Sequence, residues 1–149
     1  MNRNYRDYGE ENNRNLRLVI GFSRSIIEFE RSTQQMLSQF NITLPQFGVL
    51  EALYHLGDMK ICEIIKKTLS TSGNMTVLIK NLEKESFVLK KQSLDDKRAS
   101  LICLTKKGIN LIEKLFPKNL DLLSQKFCRL SGNEKDELSK LIKKMNGLK

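Results

Sequence analysis

The sequence predicts a mainly α-helical fold carrying one small β-hairpin. Apolar residues recur at i, i+3 and i+4 spacing along most of the chain, and two short β-prone runs, FVL at 87–89 and LICL at 101–104, interrupt that rhythm. Polar turns rich in Ser, Thr, Asn and Gly separate the periodic stretches. Of 149 residues 40% are hydrophobic and only 2 are Pro, so a core can form and a globally disordered or collagen-like chain is excluded. One domain, with or without arms, fits that length.

Residues 1–13 are polar and mixed in charge, and read as a mobile arm that orders only if Tyr5 or Tyr8 finds something to pack on. From Asn15 to about Gln39, Leu16, Val19, Ile20, Ile26 and Ile27 fall on one side of a long amphipathic helix, with Arg17, Arg24, Glu28 and Arg31 off it. Thr43-Leu44-Pro45-Gln46 has the T-x-x-Q form of a capping box with Pro in the first turn, and starts a second helix that runs to about Leu56. Gly57-Asp58 stops it. A short third helix from Lys60 to about Leu69 buries Ile61, Ile64 and Ile65 and leaves Lys66 and Lys67 outside.

Ser70-Thr71-Ser72-Gly73 is a polar turn that supplies an N-cap, and Met75, Leu78, Ile79 and Leu82 then form an apolar stripe. The opposite face carries Asn74, Thr76, Val77, Lys80, Asn81 and Lys84. Two helices joined by a four-residue turn, the second apolar on one side and polar on the other, have the form of a helix-turn-helix; an ordinary αα-hairpin has the same periodicity. The next segment discriminates between them. The β-prone runs enclose Asp95, Asp96, Lys97 and Arg98, and a charged hairpin directly behind a recognition helix is a wing. There Arg98 could reach a minor groove with Asp96 holding its guanidinium, or the segment is a solvated loop with a local ion pair.

Thr105-Lys106-Lys107-Gly108 opens a further helix, with Ile109, Ile112, Leu115 and Phe116 on one face and a break or kink expected near Pro117. Leu120, Leu123, Phe127 and Leu130 continue the spacing, and Ser131-Gly132-Asn133-Glu134 caps a last helix carrying Leu138, Leu141, Ile142 and Met145. The terminal helices hold more apolar surface than a small winged domain can cover, which a homodimer would bury. The expected division is an arm over 1–13, an N-terminal dimerisation helix over 14–43, a winged helix-turn-helix over 44–108 and C-terminal dimerisation helices over 109–149.

The net charge is +9, and residues 59–107, with 11 Lys and Arg against 5 Asp and Glu, carry +6 of it. Such a concentration suits a phosphate-binding surface, because each cation near a phosphate releases counterions; a solvated basic face is the plainer reading. No stretch approaches the roughly 18 apolar residues that span a bilayer, and the first residues lack an apolar leader core, so a cytoplasmic protein without membrane partners is expected. Cys62, Cys103 and Cys128 form no CxxC, and with a single His they leave too few ligands for a structural zinc site. Nucleotide-binding and hydrolase motifs are absent as well, so no metal, no cofactor and no enzyme activity is expected.

Three segments, LPQFGVLEALYHLG (44–57), LSTSGNMTVLIKNLEKESFV (69–88) and DDKRASLICLTKKG (95–108), resemble the MarR family of winged-helix regulators, in order and spacing over about 44–116. The STSGNMT helix and the DKR wing are most similar to the MhqR-like group, which responds to quinones and phenols. The resemblance implies a homodimer held by its terminal helices, with two recognition helices in successive major grooves of a near-palindromic operator. It implies DNA contacts from Ser72, Asn74, Thr76, Val77, Lys80 and Asn81, and from wing residues Lys97 and Arg98 with Asp96 as support. Ser70 and Thr71 are implied phosphate contacts near a helix N-terminus. Two departures stand out: Ser86 occupies a position where the family often has Gly, and no Cys precedes position 62, so the peroxide-sensing mechanism of one branch is not supported.

The function expected is therefore a sequence-specific regulator of transcription that binds double-stranded DNA. It would be a homodimeric repressor released by a small aromatic, phenolic or quinone-like ligand or by thiol modification. Cys62, near a helix start with Lys66 one turn on, is the candidate redox sensor, although packing accounts for most free cysteines; Cys103 and Cys128 are weaker candidates. His55 reads as structural or as a lining of the cleft between the dimerisation and DNA-binding parts, and Phe22, Phe29, Phe40, Phe47, Tyr54 and Phe116 read as core or as an aromatic pocket. Two alternatives stay open: a basic helical module for protein or membrane surfaces, and a thiol-dependent enzyme.

Overall fold

Side-chain hydroxyls of Thr43, Thr105 and Ser131 cap the starts of three of the described helices. The computed structural model describes residues 6–68, 72–92 and 100–148. Among the described residues six helices and three short strands follow one another as α1 (Glu10–Ser38), α2 (Leu44–Leu56), β1 (Met59–Lys60), α3 (Ile61–Thr68), α4 (Ser72–Lys84), β2 (Val88–Gln92), β3 (Ser100–Leu104), α5 (Lys106–Lys126) and α6 (Gly132–Met145). At α2 the Thr43 hydroxyl accepts from the Gln46 N–H while the Thr43 N–H donates to Gln46 Oε1 at 2.9 Å, and Ser131 with Glu134 repeats that box at α6.

Helix α1 begins at Glu10 rather than near Asn15, so the arm expected over 1–13 is helical in its last turn. Glu10 and Glu11 lie at the positive end of the helix dipole and Arg14 pairs with both. It ends where Asn41 takes φ 56°, with the Ile42 N–H reaching back to the Leu37 carbonyl.

Helix α2 carries buried Phe47, Val49, Leu50 and Leu53 and packs against α1, α3, α4, α5 and β3, which makes it the centre of the domain. Around it Leu37, Ile64, Met75, Ile79, Leu82, Ile102, Ile112 and Leu115 complete one core. The wing strands pair antiparallel from Val88 with Leu104 to Gln92 with Ser100. On the other edge of β3 lies the two-residue strand β1, with Met59 opposite Ile102. That strand takes Lys60, which the periodicity assigns to α3; two residues carry no readable period, and the buried Met59 side chain is what holds them against β3.

The break expected at Pro117 does not occur, and α5 is one helix from Lys106 to Lys126. Pro117 removes only the N–H that would bond the Glu113 carbonyl, and both residues are exposed, so water can satisfy that group. On the opposite face Ile112, Leu115 and Asn119 are buried, which holds the helix on both sides of the proline.

The corner between α4 and β2 rests on the start of α5. Ser86 adopts φ 59° and closes α4, its N–H bonding the Glu83 carbonyl while the Phe87 N–H bonds that of Leu82. The Thr105 hydroxyl donates to the Ser86 carbonyl at 2.7 Å and accepts from the Gly108 N–H at 3.0 Å. A Cβ on Gly108 would lie 2.1 Å from the Phe87 carbonyl oxygen, so only glycine fits there.

Gly108→Ala is expected to lower unfolding stability by roughly 2–3 kcal/mol in urea titration, because backbone must move to admit the methyl. Ser86→Gly is expected to raise it by about 0.5–1 kcal/mol, since relief of the left-handed strain outweighs the extra chain entropy of glycine.

Candidate nucleic-acid interface and the cleft beneath it

Helix α4 presents two chemically different faces. Met75, Leu78, Ile79 and Leu82 are buried, while Asn74, Thr76, Val77, Lys80 and Asn81 are exposed, Val77 to 55%. An apolar side chain this exposed in the middle of a polar face suits contact with a thymine methyl as well as it suits water poorly. Five of the residues expected to contact DNA thus share one outward face. Ser72 is the first residue of α4; Ser70, Thr71, Asp96, Lys97 and Arg98 lie outside the described residues.

Exposed cations also stand on the elements before and after α4 in the chain. Lys66 and Lys67 close α3, Lys84 closes α4, Lys90 and Lys91 lie on β2, and Lys106 and Lys107 open α5. Two of them also fix the wing. Lys90 Nζ bonds Glu83 at 2.8 Å, tying β2 to the last turn of α4. Lys107 Nζ donates to the Glu85 carbonyl at 2.7 Å and stands 4.6 Å from the centre of the Phe87 ring. Neither partnership has a local sequence signal, because the partners are joined by a turn in one case and by the whole wing in the other.

Behind α4 lies a cleft of about 800 Å³. Its walls come from α1 (Phe29, Thr33), α2 (Leu44 to Leu56, including Glu51 and His55), the end of α3 (Lys67, Thr68), α4 (Asn74, Met75, Leu78) and α5 (Asn119, Leu123). Asn74 is therefore both on the outward face of α4 and on the wall of the cleft. Of the aromatic residues considered for a pocket, Phe29 and Phe47 line it. His55 lines it too, and packs edge-on against Phe116 with ring centres 4.6 Å apart. Burial raises the Glu51 carboxyl above the usual carboxylate range, and His55 one turn on pulls it partly back.

Among the described residues Thr33 and Asn119 are the buried polar side chains, and Thr33 Oγ1 and Asn119 Oδ1 have no hydrogen-bond partner there. The sequence does carry a signal for them: Thr33 stands between Phe29 and Leu37, and Asn119 between Leu115 and Leu123, each a polar residue set into an apolar stripe.

The thiols differ sharply in setting. Cys62 and Cys128 are exposed, whereas Cys103 is buried on β3. Burial, followed by the Asp58 carboxylate, pushes the Cys103 thiol up to about 11. No helix among the described residues is long and apolar enough to cross a membrane.

Residues 31–115 match the family described as transcriptional regulator SarA/Rot. The chain is 32% identical over 135 residues to the uncharacterised HTH-type transcriptional regulator YkoM of Bacillus subtilis, covering 91% of this chain and 88% of that one. The chain belongs to this family of MarR-type winged-helix transcriptional regulators. The HTH-type transcriptional regulator MhqR of the same organism is 28% identical over 132 residues, 89% of this chain and 91% of its own. The DNA complex of MepR from S. aureus superimposes with a TM-score of 0.78 at 25% identity, covering 85% of this chain and 91% of that one. The regulator is thus a DNA-binding protein, and its relatives are regulators rather than enzymes.

At pH 8 only about 0.1% of a thiol with the raised value of Cys103 is thiolate. In the native regulator iodoacetamide is expected to label Cys62 and Cys128 at least tenfold faster than Cys103, as peptide mass spectrometry would show. Equal labelling would contradict the burial described.

Proposed function

We propose that the regulator is a homodimeric repressor that reads a near-palindromic operator and is released by a small aromatic ligand, phenolic or quinone-like, held in the cleft beneath α4. The observation that carries the dimer is the apolar face of α1. Leu16, Val19, Ile20, Ile26 and Ile27 are 45–64% exposed, and at the other end of the chain Leu141, Met145 and Leu148 are exposed as well. A face of this kind, on two terminal helices that bury almost nothing of their own, calls for a second copy.

Dimerisation sets two α4 helices for successive major grooves, about 34–36 Å apart. In this reading Ser72, Asn74, Thr76, Val77, Lys80 and Asn81 face base edges, and Ser70 and Thr71 hold phosphate. Lys97 and Arg98, with Asp96 as support, reach the flanking minor groove. Release needs a ligand that prefers a different spacing of the two helices. The cleft supports ligand binding over thiol modification as the release step, because α1, α2, α4, α5 and the end of α3 all meet there, whereas Cys62, at the start of α3, does not line it.

The test is a titration of duplex from the regulator's own upstream region against scrambled duplex at two salt concentrations. The expected preference is roughly 10³-fold or more. Arg98→Ala is expected to weaken binding and to reduce the salt slope by about 1, and Asn74→Ala to relax discrimination at one base position by about 1–3 kcal/mol. Ile20→Glu combined with Ile27→Glu should convert the dimer to monomer in sedimentation equilibrium and abolish cooperative operator binding; an unchanged dimer would sink the interface proposed.

A further inference from the structure

We infer that Lys90 and Lys107 are positioning residues for DNA reading and hold no phosphate: each keeps its ammonium on the protein, and together they set the wing on the end of α4. The inference rests on α4 being the helix that meets DNA, as proposed above. The charge pattern alone counts both lysines with the other cations of the basic segment. Their contacts separate them from it.

Three successive carbonyls stand where the chain leaves α4, and each is bonded by the same short stretch. The Glu85 carbonyl accepts from Lys107 Nζ at 2.7 Å, that of Ser86 from the Thr105 hydroxyl at 2.7 Å, and that of Phe87 from the Thr105 N–H at 3.0 Å. Lys107 thus places a cation at the negative end of the α4 dipole, where carbonyls lack helical donors. Its ammonium also stands 4.6 Å from the centre of the Phe87 ring, so a turn toward phosphate would give up both contacts.

Lys90 is fixed from the other side. Val88, two residues earlier on the same face of β2, is buried, and the pairing of Lys90 with Ile102 sets the register. Lys90 Nζ there meets Glu83 Oε2 at 2.8 Å. Glu83 follows Lys80 by three residues and Thr76 by seven, so on α4 it stands along one edge of the outward face. An unpaired carboxylate there would repel a phosphate; Lys90 cancels it, and the pair offers DNA no net charge. Both side chains are partly exposed, so the pair contributes little to stability. Its effect falls on where β2 lies against α4.

The experiment measures binding to two duplexes across a range of salt concentrations, one of random sequence and one that the full-length regulator itself enriches from a random library. The proteins are the wild type, Lys107→Met, Lys107→Arg and the double variant Glu83→Gln with Lys90→Gln, which keeps the net charge. On random duplex the logarithmic salt slope is expected to stay at its wild-type value in all of them, because no phosphate contact is lost. The affinity ratio of enriched to random duplex is expected to fall about tenfold in Lys107→Met and in the double variant, the size of one mismatched base pair. It should hold in Lys107→Arg, which can keep both the carbonyl bond and the ring contact. A merely structural role would lower the folded fraction and scale both affinities alike, leaving the ratio unmoved. A slope smaller by about 0.9 in Lys107→Met or the double variant would show a lost phosphate contact and overturn the inference for that lysine. A ratio unchanged in both would overturn the positioning role. Enrichment of no duplex would overturn the sequence reading proposed above and the positioning role with it, while the slopes would still decide whether the two lysines hold phosphate.

Discussion

The Phe87 carbonyl is held against the first turn of α5 at a distance that admits no side chain, and the geometry of the DNA-binding half depends on that contact. Gly108 supplies the space, and the Thr105 N–H donates to the same carbonyl at 3.0 Å. The Thr105 hydroxyl spans from the Ser86 carbonyl to the Gly108 N–H, so one side chain caps α5 and closes α4 together. Lys107 adds a bond to the Glu85 carbonyl. The end of the recognition helix, the root of the wing and the start of the long C-terminal helix are therefore one rigid joint. A tilt of α5 pulls on the end of α4 through the Thr105 side chain and through the backbone contact at the Phe87 carbonyl.

The same joint explains why Ser86 is tolerated at a left-handed position. Its carbonyl accepts from Thr105 and its N–H donates to the Glu83 carbonyl, so both backbone polar groups of the strained residue are satisfied. Surrounding contacts over-determine the conformation, which is the condition under which a non-glycine residue persists there. The left-handed residue at this position thus has a direct structural cause, the reversal that turns the chain from α4 into β2.

Elements with a period of their own were readable from the sequence. The capping box at Thr43, the stripe of Met75, Leu78, Ile79 and Leu82, and the paired runs around the wing all announce themselves within ten residues or so. What could not be read depends on distance along the chain. Thr105 meets Ser86 across the whole wing, β1 is too short to show alternation, and Pro117 signals a break that burial on the far side of α5 prevents. The outward face of α4 was legible because it is the complement of a buried stripe. The cleft was legible only in part: its aromatic lining stands out and Thr33 and Asn119 interrupt apolar stripes, whereas nothing in the sequence shows that α1, α2 and α5 bring them together beside Glu51.

Asn74 belongs at once to the outward face of α4, proposed above to meet the major groove, and to the wall of the cleft. A single amide has a fixed number of donors and acceptors, and those engaged on one side are withdrawn from the other. Linkage then makes the antagonism symmetric: whatever factor an occupant of the cleft takes from operator affinity, the operator takes from the occupant's. The inducer concentration that empties a site would then rise with the strength of that site. One regulator could answer the same signal at graded thresholds across different promoters, with the grading written in the DNA rather than in the protein.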